Sequence, residues 1–161
     1  MTSMSQLAEK ESSTMKKVLA VASGGGHWVQ LLRLRSAFEG NDIRFMTTNK
    51  EYKKDVNEPL YVVSDANIWE KLKLVRMFIE VAFVMIKFRP DIVITTGAAP
   101  GFAAIMFGKF LGAKTLWLDS IANAEEISNS GQKVKLFTDS WLTQWEHLAK
   151  ENGPEFKGKV I

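Results

Sequence analysis

Short apolar runs alternate with helical patterns along this chain, and the alternation restricts the fold more than any other feature of the sequence. The runs, such as Val18–Ala22, are too short for helices and are continuously apolar, which is typical of strands buried on both faces. Connections between such strands cross over in the right-handed sense. The sequence therefore predicts an α/β fold, a Rossmann-like three-layer sandwich with a mostly parallel sheet.

The same pattern predicts the individual elements. Strands are expected over residues 18–22, 43–47, 60–63, 91–95, 114–118 and 140–144. Helices are expected over 28–38, over 68–88, from the loop 96–101 to Leu111, over 124–128 and over 145–151. A charged loop is expected over 50–58, and Gly131 is expected to break the chain.

The length of 161 residues suits one domain or one half of a two-domain enzyme. Residues 1–15 form a polar tail that we expect to be disordered, and residues 16–161 are expected to form a single domain. The chain has no cysteine and two histidines, which excludes a disulfide framework and argues against a metal cage. We expect neither a metal nor a cofactor.

Charge and hydropathy restrict the partners and the location. A net charge of +3 fits anionic partners such as phosphates or acidic lipid, but it is too small to indicate nucleic acid, and no nucleic-acid partner is expected. The most apolar stretches, 74–86 and 101–118, each contain two charged residues, which is not typical of membrane spans. The N-terminal segment has no apolar core before its basic pair, so we expect a cytoplasmic protein.

A glycine-rich loop, Ser23-Gly24-Gly25-Gly26, joins the first predicted strand to the first predicted helix and is followed by His27. Glycines let an anion approach the backbone amides, and the helix N-terminus adds free N–H groups. The loop lacks the Gly-Lys-Ser/Thr of a Walker loop and the spacing of the dinucleotide fingerprint. It therefore predicts a diphosphate site with His27 in contact with the ligand; the alternative is a tight strand-to-helix turn.

Two further loops follow predicted strands and belong at the same edge of the sheet. After the fourth strand the candidate binding residues are Thr96, Gly97, Ala98 and Pro100. The alternative for this loop is close packing of a helix on the sheet. After the fifth strand, Asp119 is a candidate proton acceptor and Ser120 and Asn123 are candidate binding residues. The alternative there is a helix N-cap at Asn123.

The predicted helix 68–88 is apolar almost all round, apart from one narrow charged stripe. One interpretation is burial against the sheet and a neighbouring helix. The other is contact with a membrane surface. The candidate membrane residues are Lys73, Phe78, Phe83 and Lys87.

Taken together over residues 16–161, the motifs resemble the acceptor-binding subunit of two-component GT-B glycosyltransferases. That family includes the membrane-anchoring subunit of the eukaryotic dolichol-linked oligosaccharide UDP-GlcNAc transferase and bacterial relatives in exopolysaccharide and capsule synthesis. The resemblance is carried by the order and spacing of Ser23–His27, Arg89–Asp91, Thr96–Pro100, Asp119–Ser120, Ile127–Gly131 and Gln144–Glu146.

The resemblance implies the N-terminal half of a GT-B enzyme, with the donor-binding C-terminal half on a separate polypeptide. It implies a lipid-diphosphate-linked sugar acceptor bound at the inner face of the cell membrane, and inverting transfer from a UDP-sugar without a metal. His27 is then the first candidate base and Asp119 the second. The family usually has Glu-Ser followed by Arg, whereas this chain has Asp119-Ser120 and then Asn123, which indicates the bacterial branch.

Two other functions fit the same sequence. The chain is then either a nonenzymatic scaffold that recruits a catalytic partner to the membrane, or a stand-alone nucleotide-binding Rossmann protein. A scaffold would tolerate substitution of His27 and Asp119, and a stand-alone protein would bind a nucleotide without any partner.

Overall fold

The structure is a computed structural model that describes residues 15–160. In this range the strands form one sheet in the order β3-β2-β1-β4-β5-β6-β7, and all neighbouring strands are parallel. The strands are β1 (Lys17–Val21), β2 (Asp42–Thr47), β3 (Leu60–Val62), β4 (Ile92–Thr95), β5 (Lys114–Leu118), β6 (Ser140–Thr143) and β7 (Glu155–Phe156). The predicted α/β sandwich is confirmed, while the predicted tail lies, except for Met15, outside the described residues.

Helices connect the strands and lie on both sides of the sheet. The α-helices are α1 (Gly26–Arg33), α2 (Lys71–Phe88), α3 (Ala98–Phe110) and α4 (Asn129–Val134). Short 3-10 helices cover Arg35–Phe38, Lys50–Asp55 and Glu146–Leu148. The predicted helix 28–38 is thus an α-helix followed by a 3-10 turn, and the predicted charged loop contains a 3-10 helix.

Two apolar cores, one on each face of the sheet, produce the three layers. Side chains alternate between the faces along a strand, so that Leu19 and Val21 of β1 enter one core while Val18 and Ala20 enter the other. The first core is closed by α2, α3 and α4, and the second is closed by α1 and the 3-10 helices that follow it and β2.

The direction of the strand order reverses between β1 and β4, which pair with each other at the centre of the sheet. In open parallel sheets ligands bind outside the carboxyl ends of the strands at such a reversal. Helices α1 and α3 begin within a few residues of the ends of β1 and β4. The three loops that the sequence predicts as ligand-binding therefore lie at one edge of the sheet, which we call the carboxyl edge.

The predicted helix over 124–128 is wrong. The backbone N–H of Ser128 donates to the carboxylate of Asp119 at 3.0 Å, so this stretch is tied down as a loop. The Ser128 hydroxyl in turn accepts from the N–H of Gly131 at 2.9 Å and caps α4, which begins only at Asn129.

Gly131 lies inside α4 and does not break the chain. A Cβ at this position would lie 2.7 Å from Oδ1 of Asp119 and 2.9 Å from Oγ of Ser128. Glycine is needed here because the helix passes too close to the Asp119 loop to carry a side chain. The prediction that Gly131 breaks the chain is therefore wrong.

The predicted last helix, 145–151, is also wrong. Only Glu146–Leu148 forms a 3-10 turn, and the chain then returns to the sheet as β7. This strand pairs two residues with β6, Glu155 with Leu142 and Phe156 with Thr143. So short a strand has no sequence pattern of its own.

Helix α2 has one buried side and one exposed apolar side. The buried side chains are Met77, Val81, Val84, Met85 and Phe88. The exposed ones, here called the apolar stripe, are Leu72, Val75, Ile79, Phe83 and Ile86. At 100° per residue the apolar stripe covers about 80° of arc. Burial of this helix is therefore confirmed for one side, and membrane contact by the other side stays a prediction. No helix within residues 15–160 has the length and hydropathy to cross a bilayer.

Candidate functional site

A cleft of about 220 Å³ opens at the carboxyl edge, beside the first residues of α1, α3 and α4. Six of its eight lining residues have polar side chains and none is acidic, which suits hydrogen bonds to a neutral ligand such as a sugar. The lining residues are His27, Ala98, Ser120, Ala122, Asn123, Ser128, Asn129 and Ser130. In the described part of the chain, no three His, Asp or Glu side chains gather as a metal site.

Two hydrogen bonds hold His27 against the loop that follows β4. Its Nδ1 lies 2.7 Å from the backbone oxygen of Thr96, and the Thr96 hydroxyl donates to the backbone oxygen of His27 at 2.7 Å. Because a carbonyl oxygen only accepts, Nδ1 carries a proton, so in a neutral imidazole the lone pair is on Nε2. The half-buried ring lines the cleft, so Nε2 can accept a proton from a bound molecule.

The backbone beside His27 has an unusual conformation. Gly97 has φ +119° and Ala98 has φ +67°, in the left-handed region that residues with a Cβ rarely adopt. A Cβ on Gly97 would lie 3.0 Å from Cε1 of His27. The small residues predicted to admit a ligand thus also admit the imidazole, and α3 begins immediately beside the ring.

The carboxylate of Asp119 is 2% exposed and accepts four hydrogen bonds. Oδ1 accepts from Oγ of Ser128 at 2.6 Å and from Nε1 of Trp117 at 3.1 Å. Oδ2 accepts from Nδ2 of Asn123 and from the N–H of Ser128, both at 3.0 Å. A carboxylate has about four lone-pair sites, so this one is fully occupied in bracing the 120–128 loop.

The glycine loop lies immediately before His27, at the N-terminus of α1. The amide of Gly25 donates to the Tyr52 hydroxyl at 2.9 Å. The Tyr52 ring stacks on the buried Trp28, with ring centroids 4.9 Å apart and planes 5° from parallel. A diphosphate at this loop stays a prediction, and Tyr52 is an additional neighbour that the sequence did not indicate.

The predicted site residues fall into distinct groups. Those in the cleft lining are His27, Ala98, Ser120 and Asn123. Those buried behind it are Thr96, Pro100 and Asp119. Adjoining His27 in the chain, and outside the cleft lining, are Ser23, Gly24, Gly25 and Gly26; Gly97 contacts the imidazole from the next loop. The candidate membrane residues Lys73, Phe78, Phe83 and Lys87 belong to α2 and not to the cleft.

Sequence reasoning missed two sets of residues. Ser128, Asn129 and Ser130 line the cleft because α4 begins there. The sequence predicted a break in the chain near this point instead of a helix. Ser128, the N-cap residue of α4, was the available signal. The other set is a pair of buried glutamines, Gln30 and Gln144, which sequence patterns do not distinguish from surface glutamines.

Neither a family model nor a curated protein sequence matches this chain. Solved structures do match it. MurG from Acinetobacter baumannii has a TM-score of 0.73 at 15% identity, covering 88% of this chain and 45% of its own. A UDP-N-acetylglucosamine 2-epimerase from Rickettsia bellii has a TM-score of 0.68 at 16% identity, and the match covers 91% of this chain and 45% of the epimerase. A glycosyltransferase from Rickettsia africae has a TM-score of 0.64 at 15% identity, and the match covers 91% of this chain and 43% of the glycosyltransferase.

The chain has a GT-B half-domain fold. It spans less than half the length of the three matched chains. The predicted fold is therefore confirmed, whereas the family of acceptor-binding subunits is not shown. Since an epimerase shares this half-domain with glycosyltransferases, the reaction must be argued from the site and not from the fold.

Proposed function

We propose that the chain is the acceptor-binding subunit of a glycosyltransferase of bacterial polysaccharide synthesis. It binds a lipid-diphosphate-linked sugar at the cytoplasmic face of the cell membrane. A separate donor-binding subunit, equivalent to the C-terminal half of a GT-B enzyme, holds the UDP-sugar. The observation that carries the proposal is His27, an imidazole of fixed tautomer with a free Nε2 lone pair at the carboxyl edge of a GT-B half-domain.

In this reaction His27 is the general base. Nε2 takes the proton of the acceptor hydroxyl, and the hydroxyl oxygen attacks the anomeric carbon of the donor sugar. The bond from that carbon to UDP breaks, UDP leaves with the electron pair, and attack from the opposite side inverts the anomeric configuration. A positioned base of this kind contributes about 10²–10⁴-fold to the rate. The hydroxyl and amide groups of Ser120, Asn123 and Ser130 are available to orient the acceptor sugar.

Asp119 has a positioning role in this proposal. Its carboxylate holds Asn123 and Ser128 at the cleft and has no free lone pair for a proton. The first-turn amides of α1, which have no intrahelical acceptor, are the group suited to the acceptor's diphosphate. Gly24 and Gly26 place no side chain of their own on that approach, and the Tyr52 hydroxyl lies beside it, bonded to the amide of Gly25.

The apolar stripe of α2 is the proposed membrane contact. Because α2 follows β3, its first turn lies toward the carboxyl edge, and the exposed Ile68 and Trp69 immediately precede it. Lys87 lies over the ring of Phe83 at 5.9 Å, and Lys73 is bonded to Glu70. The lipid end of an acceptor could thus enter the bilayer on the side of the molecule that presents the cleft.

Phe78 and Phe83 differ in this proposed contact. Phe83 is 65% exposed, whereas the half-buried Phe78 packs edge-to-face on Phe107 of α3 with centroids 6.2 Å apart. Substitution of Phe78 would therefore disturb the core, and Ile79 and Phe83 are the better positions for a test.

The transfer reaction is tested with the chain, a co-purifying donor-binding subunit, a panel of UDP-sugars and membrane lipid extract. We expect transfer by the pair and none by either chain alone. Turnover by this chain alone contradicts the two-component proposal, and wild-type turnover by a His27→Ala pair contradicts the assigned base.

Membrane contact is tested by flotation with vesicles of phosphatidylcholine and phosphatidylglycerol. We expect the wild type to float and a folded Ile79→Glu/Phe83→Glu variant to remain behind. The matched control, Val29→Glu/Val62→Glu, adds the same charge at exposed apolar positions outside α2 and should float normally. Equal flotation of both double variants contradicts contact through the apolar stripe.

A further inference from the structure

Two glutamines are buried behind the cleft. Gln30 of α1 is 4% exposed, and Gln144, the residue after β6, is 0% exposed. Buried amides are destabilising unless their donors and acceptors are paired, so the hydrogen-bond partners of this pair show which segments it joins.

Gln30 joins the helix that carries His27 to the loop that carries Ser120. Its Nε2 donates to the backbone oxygen of Gly26 and to Oγ of Ser120, both at 3.1 Å. Its Oε1 accepts from the N–H of Ile121 at 3.0 Å. One side chain therefore bonds to both loops at the cleft.

Gln144 fixes the orientation of Gln30. Its Nε2 donates to Oε1 of Gln30 at 2.6 Å and to the backbone oxygen of Asp119 at 3.0 Å. Its Oε1 accepts from the N–H of Val160 at 2.8 Å, which ties the last described residue into the same network. Rotation of either amide by 180° would place like groups against each other, so each amide has one orientation.

We propose that Gln30 and Gln144 are positioning residues that set the separation between His27 and the Ser120–Asn123 loop; for catalysis this rests on the proposed function. Neither glutamine lines the cleft, so neither contacts the acceptor. Their effect reaches the reaction through His27, whose helix turn Gln30 ties to the opposite loop. The C-terminal segment that contains Val160 completes the arrangement, because the N–H of Val160 donates to Oε1 of Gln144.

The test compares Gln144→Glu, which keeps the shape but replaces two donors by an acceptor, with Gln144→Met, which removes hydrogen bonding. Thr115→Val is the matched control, because Thr115 is 2% exposed and hydrogen-bonds to Asp139 away from the cleft. Hydrogen exchange of the Ile121 amide is measured on each chain alone. In the reconstituted pair, kcat and the KM for UDP-sugar are measured.

We expect exchange at Ile121 to accelerate at least about tenfold in both Gln144 variants, and more in Gln144→Glu, while Thr115→Val leaves it unchanged. We expect kcat to fall about tenfold or more with unchanged KM for UDP-sugar, since a misplaced base lowers the rate and not donor binding. Gln30→Met, which removes the same bonds from the α1 side, replaces any Gln144 variant that does not fold.

The outcomes separate this inference from the proposed function. Unchanged exchange at Ile121 overturns the idea that the glutamines hold the loops. Faster exchange with wild-type kcat overturns their positioning role while leaving the transferase proposal intact. A wild-type pair without turnover overturns the proposed function and the catalytic part of this inference, whereas the exchange measurement still decides whether the glutamines hold the loops.

Discussion

The two ends of the sheet use the same chemical group for different purposes. At the amino ends of the strands, Asp91 accepts from the backbone N–H of Lys17 at 2.9 Å, and Asp139 accepts from the N–H of Thr115 at 2.9 Å. At the carboxyl edge, Asp119 accepts from side chains and backbone of the loop that lines a cleft. At the amino ends of the strands the carboxylates pair with backbone N–H groups, whereas at the carboxyl edge the carboxylate of Asp119 fixes the loop that lines the cleft beside His27.

This difference separates stability from activity. Asp139 also forms an ion pair with Lys109. The carboxylates at the amino end are therefore paired with backbone N–H groups or with a lysine. At the carboxyl edge Nε2 of His27 is left without a partner among residues 15–160. Substitutions at the amino end should therefore change the free energy of unfolding alone, while those at the carboxyl edge should also change the proposed reaction.

The largest effect is expected for His27→Ala in the reconstituted transferase. Loss of the base should lower kcat by about 10²–10⁴-fold, and loss of the Nδ1–Thr96 hydrogen bond should lower the free energy of unfolding by about 1 kcal/mol. His27→Asn should be nearly as slow, because an amide hydrogen-bonds but does not take the proton. Asp139→Asn, from the other end of the sheet, should keep the wild-type kcat. Recovery of most of the rate in His27→Asn would mean that His27 only binds the acceptor.

The next largest effect is expected for Asp119→Ala, measured by urea unfolding. Removing the carboxylate leaves buried donors of Trp117, Asn123 and Ser128 unpaired, which should lower the free energy of unfolding by about 3 kcal/mol. Asp119→Asn should lose less, since one amide oxygen still accepts. If Asp119→Ala were as stable as the wild type, the carboxylate would not be bracing the 120–128 loop. Asp119 would then again be a candidate for the base.

Two glycines provide a smaller and paired test. Gly131→Ala should lower the free energy of unfolding by about 2 kcal/mol, because its Cβ would meet Asp119 at 2.7 Å. Gly112→Ala, in open space with φ +80°, should lower it by about 1 kcal/mol through backbone strain alone. Thermal unfolding of both variants measures the difference. Equal losses would show that the carboxyl edge is not packed more tightly than the amino end.

The smallest effect is expected for Asp139→Asn. A hydrogen bond from Lys109 lowers the pKa of Asp139; burial opposes this, and bonds from Thr115 add to it. Because the pKa is lower in the folded state, the ionised carboxylate stabilises the fold above its unfolded pKa of about 4, and this stabilisation is lost as pH falls further. We expect Asp139→Asn to be about 1 kcal/mol less stable at pH 7 and to approach the wild type as the pH falls below about 4. A constant difference over this range would contradict the contribution of the carboxylate charge.

The alternation of strands and helices was predictable because each element has its own local signal. Apolar runs such as Val18–Ala22 must be buried on both faces, and the long helix that ends near Pro90 contains the periodic apolar positions that pack on the sheet. The carboxyl-edge location of the three loops also follows from the sequence, since parallel strands end at a common edge. The sequence therefore predicted that His27, Ser120 and Asn123 belong at the same edge of the sheet.

Only the tertiary structure decided how those loops are held. Asp119 and Ser128 are bonded at 2.6 Å although nine positions separate them, and this long-range contact replaced a predicted helix with a cap. The Gln30–Gln144 bond joins residues 114 positions apart, and nothing in the neighbourhood of either residue indicates its partner. Local patterns determine which segments become strands and helices, because burial and backbone pairing act over a few residues. The roles of Asp119, Gly131 and the glutamines depend on close approaches between distant segments, which exist only once the sheet has brought them together.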